Sequence, residues 1–196
     1  MNSWYKRRGK RIFDMAVSLA GLALLLPFFA IIALVIRLTM GKGVFFRQAR
    51  PGLSGNPFMI NKFRTMSEEK GRSGAMFPDH VRLTGFGSFL RRTSLDELPE
   101  LINVLRGDMS LVGPRPERPT FVSELRQAIP YYDLRHSVKP GITGWAQVRY
   151  SYGASVEDAR KKLQFDLYYV KNHSLFLDLL SLVETVRVVL FREGAH

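Results

Sequence analysis

Asp96 and Glu97 stand side by side in the segment Ser94-Leu95-Asp96-Glu97-Leu98-Pro99. Two adjacent carboxylates can divide labour. An ionised Asp can attack phosphorus and form an aspartyl-phosphate, while its neighbour holds a hard cation such as Mg²⁺. If the segment opens a helix, both lie in the positive end of its dipole, which favours their ionised forms. Arg91 and Arg92, just upstream, suit phosphate. The same residues also fit a purely structural role. Ser94-x-x-Glu97 has the spacing of a capping box, and Pro99 suits a first helical turn.

Four further segments carry chemistry. In Gly113-Pro114-Arg115-Pro116 the prolines fix the backbone on both sides of Arg115, which fits either a guanidinium aimed for bidentate phosphate binding or a stiff turn with a solvated Arg. In Lys62-Phe63-Arg64-Thr65, strand alternation puts Lys62 and Arg64 on one face, as a phosphate contact or as a solvated basic edge. Two glycines in Pro140-Gly141-Ile142-Thr143-Gly144-Trp145 let the backbone approach a ligand closely. Asp166 is either an acid supporting the cations or an ordinary acid on a helix surface. The chain has no Cys and its four His are scattered, so thiolate zinc sites, disulfides and a Cys nucleophile are excluded; no Walker or GxGxxG motif is present.

These residues need elements to position them. Val44–Gln48 and Phe58–Phe63 read as short strands around the turn-forming stretch Arg50–Pro57, a hairpin. Ser67–His80 is polar and irregular. Thr84–Arg92, Leu95–Leu105, Thr120–Ala128, Glu157–Val170 and Leu175–Phe191 read as helices, with Gly107 stopping the second. Leu111–Pro119 and Val138–Val148 are punctuated by Pro and Gly and read as shaped loops. The last stretch, very apolar, fits either a core helix or one lying on a membrane surface. The fold class expected is α+β, mostly helical, within 196 residues.

Met15–Ile36 is a run of 22 residues without a formal charge. As a helix it reaches about 33 Å, enough to cross a bilayer core. Trp4, Tyr5 and five cations precede it, and Arg37 and Lys42 follow. Cations at both ends and Pro27 in the middle favour a helix that enters, bends and returns to the cytoplasmic face. A simple spanning anchor, a cleaved signal segment and a buried core helix are the other readings. The 29 Lys and Arg against 17 Asp and Glu, a balance of +12, attract polyanions of any kind: anionic lipid, phosphorylated substrates or nucleic acid.

Taken in order, these segments resemble the bacterial sugar transferase family, the monotopic phosphoglycosyl transferases. The resemblance is carried by Lys10-Arg11-Ile12-Phe13-Asp14, Phe46-Arg47-Gln48, Lys62-Phe63-Arg64-Thr65-Met66, Leu90 to Pro99, Gly107 to Pro116, Pro140 to Val148 and Asp166-Leu167-Tyr168-Tyr169-Val170, nearly the whole chain. It implies a re-entrant anchor broken at Pro27 over residues 1–40 and a cytoplasmic catalytic domain over 41–196, with a small hairpin and membrane-surface amphipathic helices. It implies Asp96 as nucleophile, Glu97 as its partner at a Mg²⁺ site formed with Asp96, and Lys62, Arg91, Arg115 and Asp166 near phosphate. The implied reaction moves a sugar-1-phosphate from a UDP-sugar to undecaprenyl phosphate at the cytoplasmic face of the bacterial inner membrane, releasing UMP. The partners are then the UDP-sugar, the polyprenyl phosphate and membrane lipid, with no nucleic acid; a homodimer is left open. A membrane-tethered nucleic-acid-binding module and a non-catalytic scaffold are the competing expectations. Leu26 precedes Pro27 where many members have Ser, and segments near 149–153 and 191–196 resemble larger members that carry a further N-terminal membrane region. The Ser67–His80 loop and the 149–156 segment are candidates to line a sugar pocket.

Overall fold

The computed structural model describes residues 4–68, 77–150, 153 and 155–191. Parts of the 67–80 loop and the 149–156 segment, and the tail 192–196, therefore lie outside the described residues.

The chain opens with a π-helical turn, Tyr5–Gly9, that runs directly into α1, Lys10–Met40. At 1.5 Å per residue this helix is about 46 Å long. It contains Pro27, and residues on both sides of it remain helical. The expected break is thus not a gap in the helix: proline removes one hydrogen bond while its neighbours keep theirs. The inward stripe is narrow. Asp14, Ser18, Ile32 and Ile36 are buried, while Leu24, Leu26, Phe28, Ile31 and Leu38 are exposed. Only 11% of the most apolar 18-residue window is buried in the protein, which removes the reading of α1 as a soluble core helix.

The hairpin forms as its turn residues require. β1, Phe45–Pro51, pairs antiparallel with β2, Pro57–Phe63, in a register that sets Phe46 opposite Lys62 and Arg50 opposite Phe58. The turn is closed by Gly52 N–H donating to Asn56 O at 2.8 Å. α2 (Asp79–Arg82) and α3 (Gly85–Arg92) follow, the latter capped by Thr84, whose hydroxyl accepts from Gly87 N at 2.9 Å. A 3₁₀ turn, Leu95–Glu97, leads into α4, Glu100–Arg106, which Gly107 ends in a left-handed conformation (φ 95°).

β3 (Ser110–Val112) and β4 (Gly141–Thr143) pair in parallel. Between them lie α5 (Pro119–Ala128) and a 3₁₀ turn, Tyr132–Ser137. The Val138–Val148 stretch, expected as loop, is thus a short strand followed by α6, Trp145–Arg149. The strands meet because glycines permit it: a Cβ on Gly141 would stand 2.1 Å from Gly113 N, and one on Gly144 2.2 Å from Gly113 O. α7 (Val156–Asn172), opened by a Ser155/Asp158 capping box, and α8 (Leu175–Phe191) complete the fold.

The main core joins Ile60, Leu101, Val104, Met109, Leu111, Val112, Tyr169 and Leu177, and Phe13, Leu22 and Leu25 of α1 pack on it. A second core joins Ile32 and Ile36 of α1 to Phe63 and Leu90. α1 therefore touches the rest of the molecule near both of its ends.

Candidate active site

The expected carboxylate pair lies on the 3₁₀ turn between α3 and α4, and the turn is sharper than a helix start. Ser94 takes a left-handed conformation (φ 55°) and its side chain caps nothing. The capping-box reading of Ser94 and Glu97 is therefore wrong. A left-handed Ser cannot present its oxygen to the N3 amide, and Glu97 is turned towards cations instead.

Three elements bring those cations in. Asn103 on α4 is fully buried and accepts from the Asn61 backbone and side-chain amides at 3.0 and 2.9 Å, while donating to Met59 O at 2.7 Å. These bonds lock β2 onto α4 and bring Lys62 to Glu97: Lys62 Nζ lies 2.5 Å from Glu97 Oε1 and 3.2 Å from Glu100 Oε1. Arg115, on the loop after β3, donates to both oxygens of Glu97, at 2.5 and 3.1 Å. Arg91, at the end of α3, holds Thr65 Oγ1 at 3.0 Å. It contributes positive charge at Asp96.

The electrostatics split the carboxylates. Burial opposes ionisation of Glu97, but the Arg115 and Lys62 charges and hydrogen bonds prevail and hold it down at about 2. Asp96 is 8% exposed. Burial first, and then the neighbouring Glu97 charge, push its carboxyl above the ordinary range. The dipole argument from sequence thus has the wrong sign for Asp96: desolvation outweighs a single turn's dipole. Among the described residues Asp96 makes no ion pair, and its carboxylate accepts from its own backbone N–H. Lys62 and Arg91 oppose the upward shift and favour the ionised form.

Glu100, which the sequence reading passed over, completes the cluster. It is buried, its Oε1 shares Lys62 with Glu97 at 3.2 Å, and burial followed by the Glu97 charge outweighs Lys62 and raises it to about 7. Its signal was available: it stands three residues after Glu97, on the same face of a helical start. Among the described residues no trio of His, Asp or Glu forms a ready metal cage. Mg²⁺ binds through one or two carboxylates together with substrate phosphates, and Asp96 is the carboxylate of this cluster that no Lys or Arg pairs among the described residues.

Two expectations are redirected. Arg64 does not share a face with Lys62, because β2 ends at Phe63; Arg64 instead caps α1, donating to Met40 O at 2.6 Å. Asp166, expected near phosphate, is buried in an ion pair with Arg135 (2.8 Å) and does not join the cluster. Lys62, Asp96, Glu97 and Arg115 are brought together, with Arg91 beside Asp96.

The site sets a buried carboxylate without an ion pair beside one gripped by two cations, on a domain that carries a long, mostly exposed apolar helix. Residues 5–192 match the family described as Bacterial sugar transferase, and the chain belongs to that family. It is 47% identical over 189 residues to the "Uncharacterized sugar transferase EpsL" of Bacillus subtilis (strain 168), covering 94% of this chain and 89% of that protein. It is 43% identical to the UDP-N-acetylgalactosamine-undecaprenyl-phosphate N-acetylgalactosaminephosphotransferase of Aeromonas hydrophila, over 95% of this chain and 45% of that one. It is 44% identical to the UDP-glucose:undecaprenyl-phosphate glucose-1-phosphate transferase of Escherichia coli (strain K12), over 87% of this chain and 38% of that protein. The chain thus spans most of the first relative and less than half of the other two. This membership favours the enzyme over both the nucleic-acid module and the scaffold.

Proposed function

We propose that this chain is a phosphoglycosyl transferase that moves a sugar-1-phosphate from a UDP-sugar to undecaprenyl phosphate and releases UMP. The observation that carries the reading is Asp96, buried without an ion pair among the described residues, beside a Glu97 already gripped by Lys62 and Arg115, in a chain matched by the family almost end to end. In this reading Asp96 attacks the phosphorus that bears the sugar. A bond forms between its carboxylate oxygen and phosphorus, the bond to the UMP oxygen breaks, and UMP leaves. An oxygen of undecaprenyl phosphate then attacks the same phosphorus and frees Asp96. Desolvation makes the Asp96 carboxylate the more basic of the pair, and Arg91, Lys62 and Arg115 offset charge gathering on the phosphates. Asp96 and Glu97 would hold Mg²⁺ together with the donor phosphates, where the cation supplies further charge neutralisation. The product is the first lipid-linked sugar of a glycan such as an exopolysaccharide or O-antigen. The two named relatives act on different sugars, so the sugar is left to experiment.

We further propose that residues 1–40 form a re-entrant anchor on the cytoplasmic face of the inner membrane and that 41–196 form the catalytic domain. A spanning helix puts its ends on opposite sides of about 30 Å of hydrocarbon. Here one domain holds both ends: Asp14 accepts from Leu111 N at 3.2 Å, and Arg64 caps Met40. Pro27 is the natural bend point between them. α8 supports the same membrane face. Its inward side carries Asp178, Ser181 and Thr185, while Phe176, Leu179, Val183 and Val186 point outward, an arrangement suited to lipid rather than water.

The test is UMP release from a panel of UDP-sugars by purified protein with Mg²⁺ and undecaprenyl phosphate, with trapping of labelled phosphosugar on Asp96. A folded sample that frees no UMP from any donor rejects the reading.

A further inference from the structure

Arg115 is flanked by two prolines, and neither has an N–H with which to anchor the loop from within. The loop is held from outside instead. Three consecutive carbonyls each accept from a different element: Pro114 O from Gly141 N on β4 (3.0 Å), Arg115 O from Arg135 Nη2 (3.0 Å), and Pro116 O from Arg50 Nη1 on β1 (3.0 Å). Two of the three donors are guanidinium groups. Arg135 is 5% exposed and has no slack: Asp166 takes its Nε and Nη2 (3.0 and 2.8 Å), and Tyr132 accepts from Nη1 at 2.7 Å. Its bond to the Arg115 carbonyl is the one that points towards the site.

A buried ion pair is expensive to maintain and is often replaceable by apolar residues without loss of stability. What such residues could not do is donate to a carbonyl beside the side chain that grips Glu97. We propose that Arg135, held in place by Asp166, is a positioning residue for Arg115: it fixes the backbone from which Arg115 makes its two-bond contact with Glu97. This rests on the transferase reading for its kinetic consequence, and it gives Asp166 a part in the site without contact to substrate.

The experiment is a double-mutant cycle on the full chain in detergent, with Arg135→Lys and Arg115→Lys alone and combined. Lys keeps the charge opposite Asp166 but cannot make all of the fork's bonds. Arg135→Lys is expected to lower the rate of UMP release roughly 10- to 50-fold while KM for the donor changes little. In the Arg115→Lys background the same substitution is expected to cost less than about 2-fold. Equal losses in both backgrounds, or no loss in either, overturn the proposal. An activity-free readout runs in parallel: the ¹⁵N guanidinium signals of Arg115, assigned by their disappearance in Arg115→Lys. Slow hydrogen exchange at these groups in the parent protein, turning fast in Arg135→Lys, supports the proposal; unchanged exchange overturns it. If Arg135→Lys does not fold, Arg50→Lys, which tests the neighbouring Pro116 hold, enters the same cycle with the same expectations. Should the parent protein release no UMP, the transferase reading falls, while the exchange measurement still decides the clamp.

Discussion

Two buried charge clusters in this molecule are built from the same residue types to opposite ends. At the root of α1, Asp178 is fully buried and accepts from the Tyr169 hydroxyl at 2.6 Å and from the Tyr5 hydroxyl, with Lys10 Nζ at 2.7 Å. Asp14 beside it takes Leu111 N and lies 3.4 Å from Lys10. Every carboxylate there has a donor or a cation. At the active site three carboxylates share Lys62 and Arg115, and both cations are drawn to Glu97. Asp96 makes no ion pair among the described residues, and Glu100 only shares Lys62 with Glu97, at the longer distance of 3.2 Å. A buried acid that is fully partnered fastens elements together. One left short of cations, in the same protein, is poised to react or to accept a cation.

The comparison predicts that the two clusters fail differently. Asp96→Asn is expected to lower UMP release by at least about 10³-fold, since it removes the attacking group. It removes no partner, so the melting temperature should stay or rise slightly. A variant with parent turnover, or one that melts far below the parent, would erase the distinction.

Asp178→Asn is the mirror experiment. It leaves Lys10 only the longer contact with Asp14 (3.4 Å) and weakens two tyrosine hydrogen bonds; breaking a buried pair typically costs up to about 3–5 kcal/mol of stability. In the proposed reaction, UMP release per folded molecule should change by less than about 3-fold, because this cluster makes no hydrogen bond or ion pair with Asp96 or Glu97 among the described residues. Thermal unfolding together with activity normalised to the folded fraction decides it; loss of activity at unchanged stability would place the α1 root in the site. Arg115→Lys falls between the two. It keeps a charge but loses the fork on Glu97, and turnover should drop about 10²-fold with a modest change in melting temperature.

Local chemistry explains what the sequence let us read. The hairpin, the Gly107 stop and the α5, α7 and α8 helices depend on neighbours in the chain, and turn formers or periodicity announce them. The β3–β4 pairing depends on two three-residue strands about 30 positions apart meeting across glycines, and no local signal encodes that. The carboxylate pair, Lys62 and Arg115 were legible as residue types. Their grouping around Glu97 was not, because Asn103 and the left-handed Ser94 create it through tertiary contacts. Asp166 offered a clue that was missed: Leu163 and Tyr169 lie three residues to either side of it, on the inward face of α7. A charge on that face had to be paired inside the protein.

The smallest expected effect concerns pH and sharpens the comparison further. Glu97, depressed to about 2, contributes stability that is present above its unfolded value near 4.3 and is lost as pH falls towards 2. Glu100 has the opposite sign. Its carboxyl is raised to about 7, so the folded state favours its protonated form. That contribution is complete below about pH 4.3 and is lost as pH rises through 7. Asp96 is pushed in the same direction as Glu100. The site should therefore lose stability between pH 5 and 8. Glu100→Gln removes the larger part of that loss, on the order of 1–3 kcal/mol, at about 2–4 °C per kcal/mol. Melting curves at pH 5 and pH 8 should diverge less in Glu100→Gln than in the parent. An equal divergence would mean that Lys62 compensates Glu100 fully at neutral pH despite its closer contact with Glu97, which would make this cluster as fully compensated as the one around Asp178.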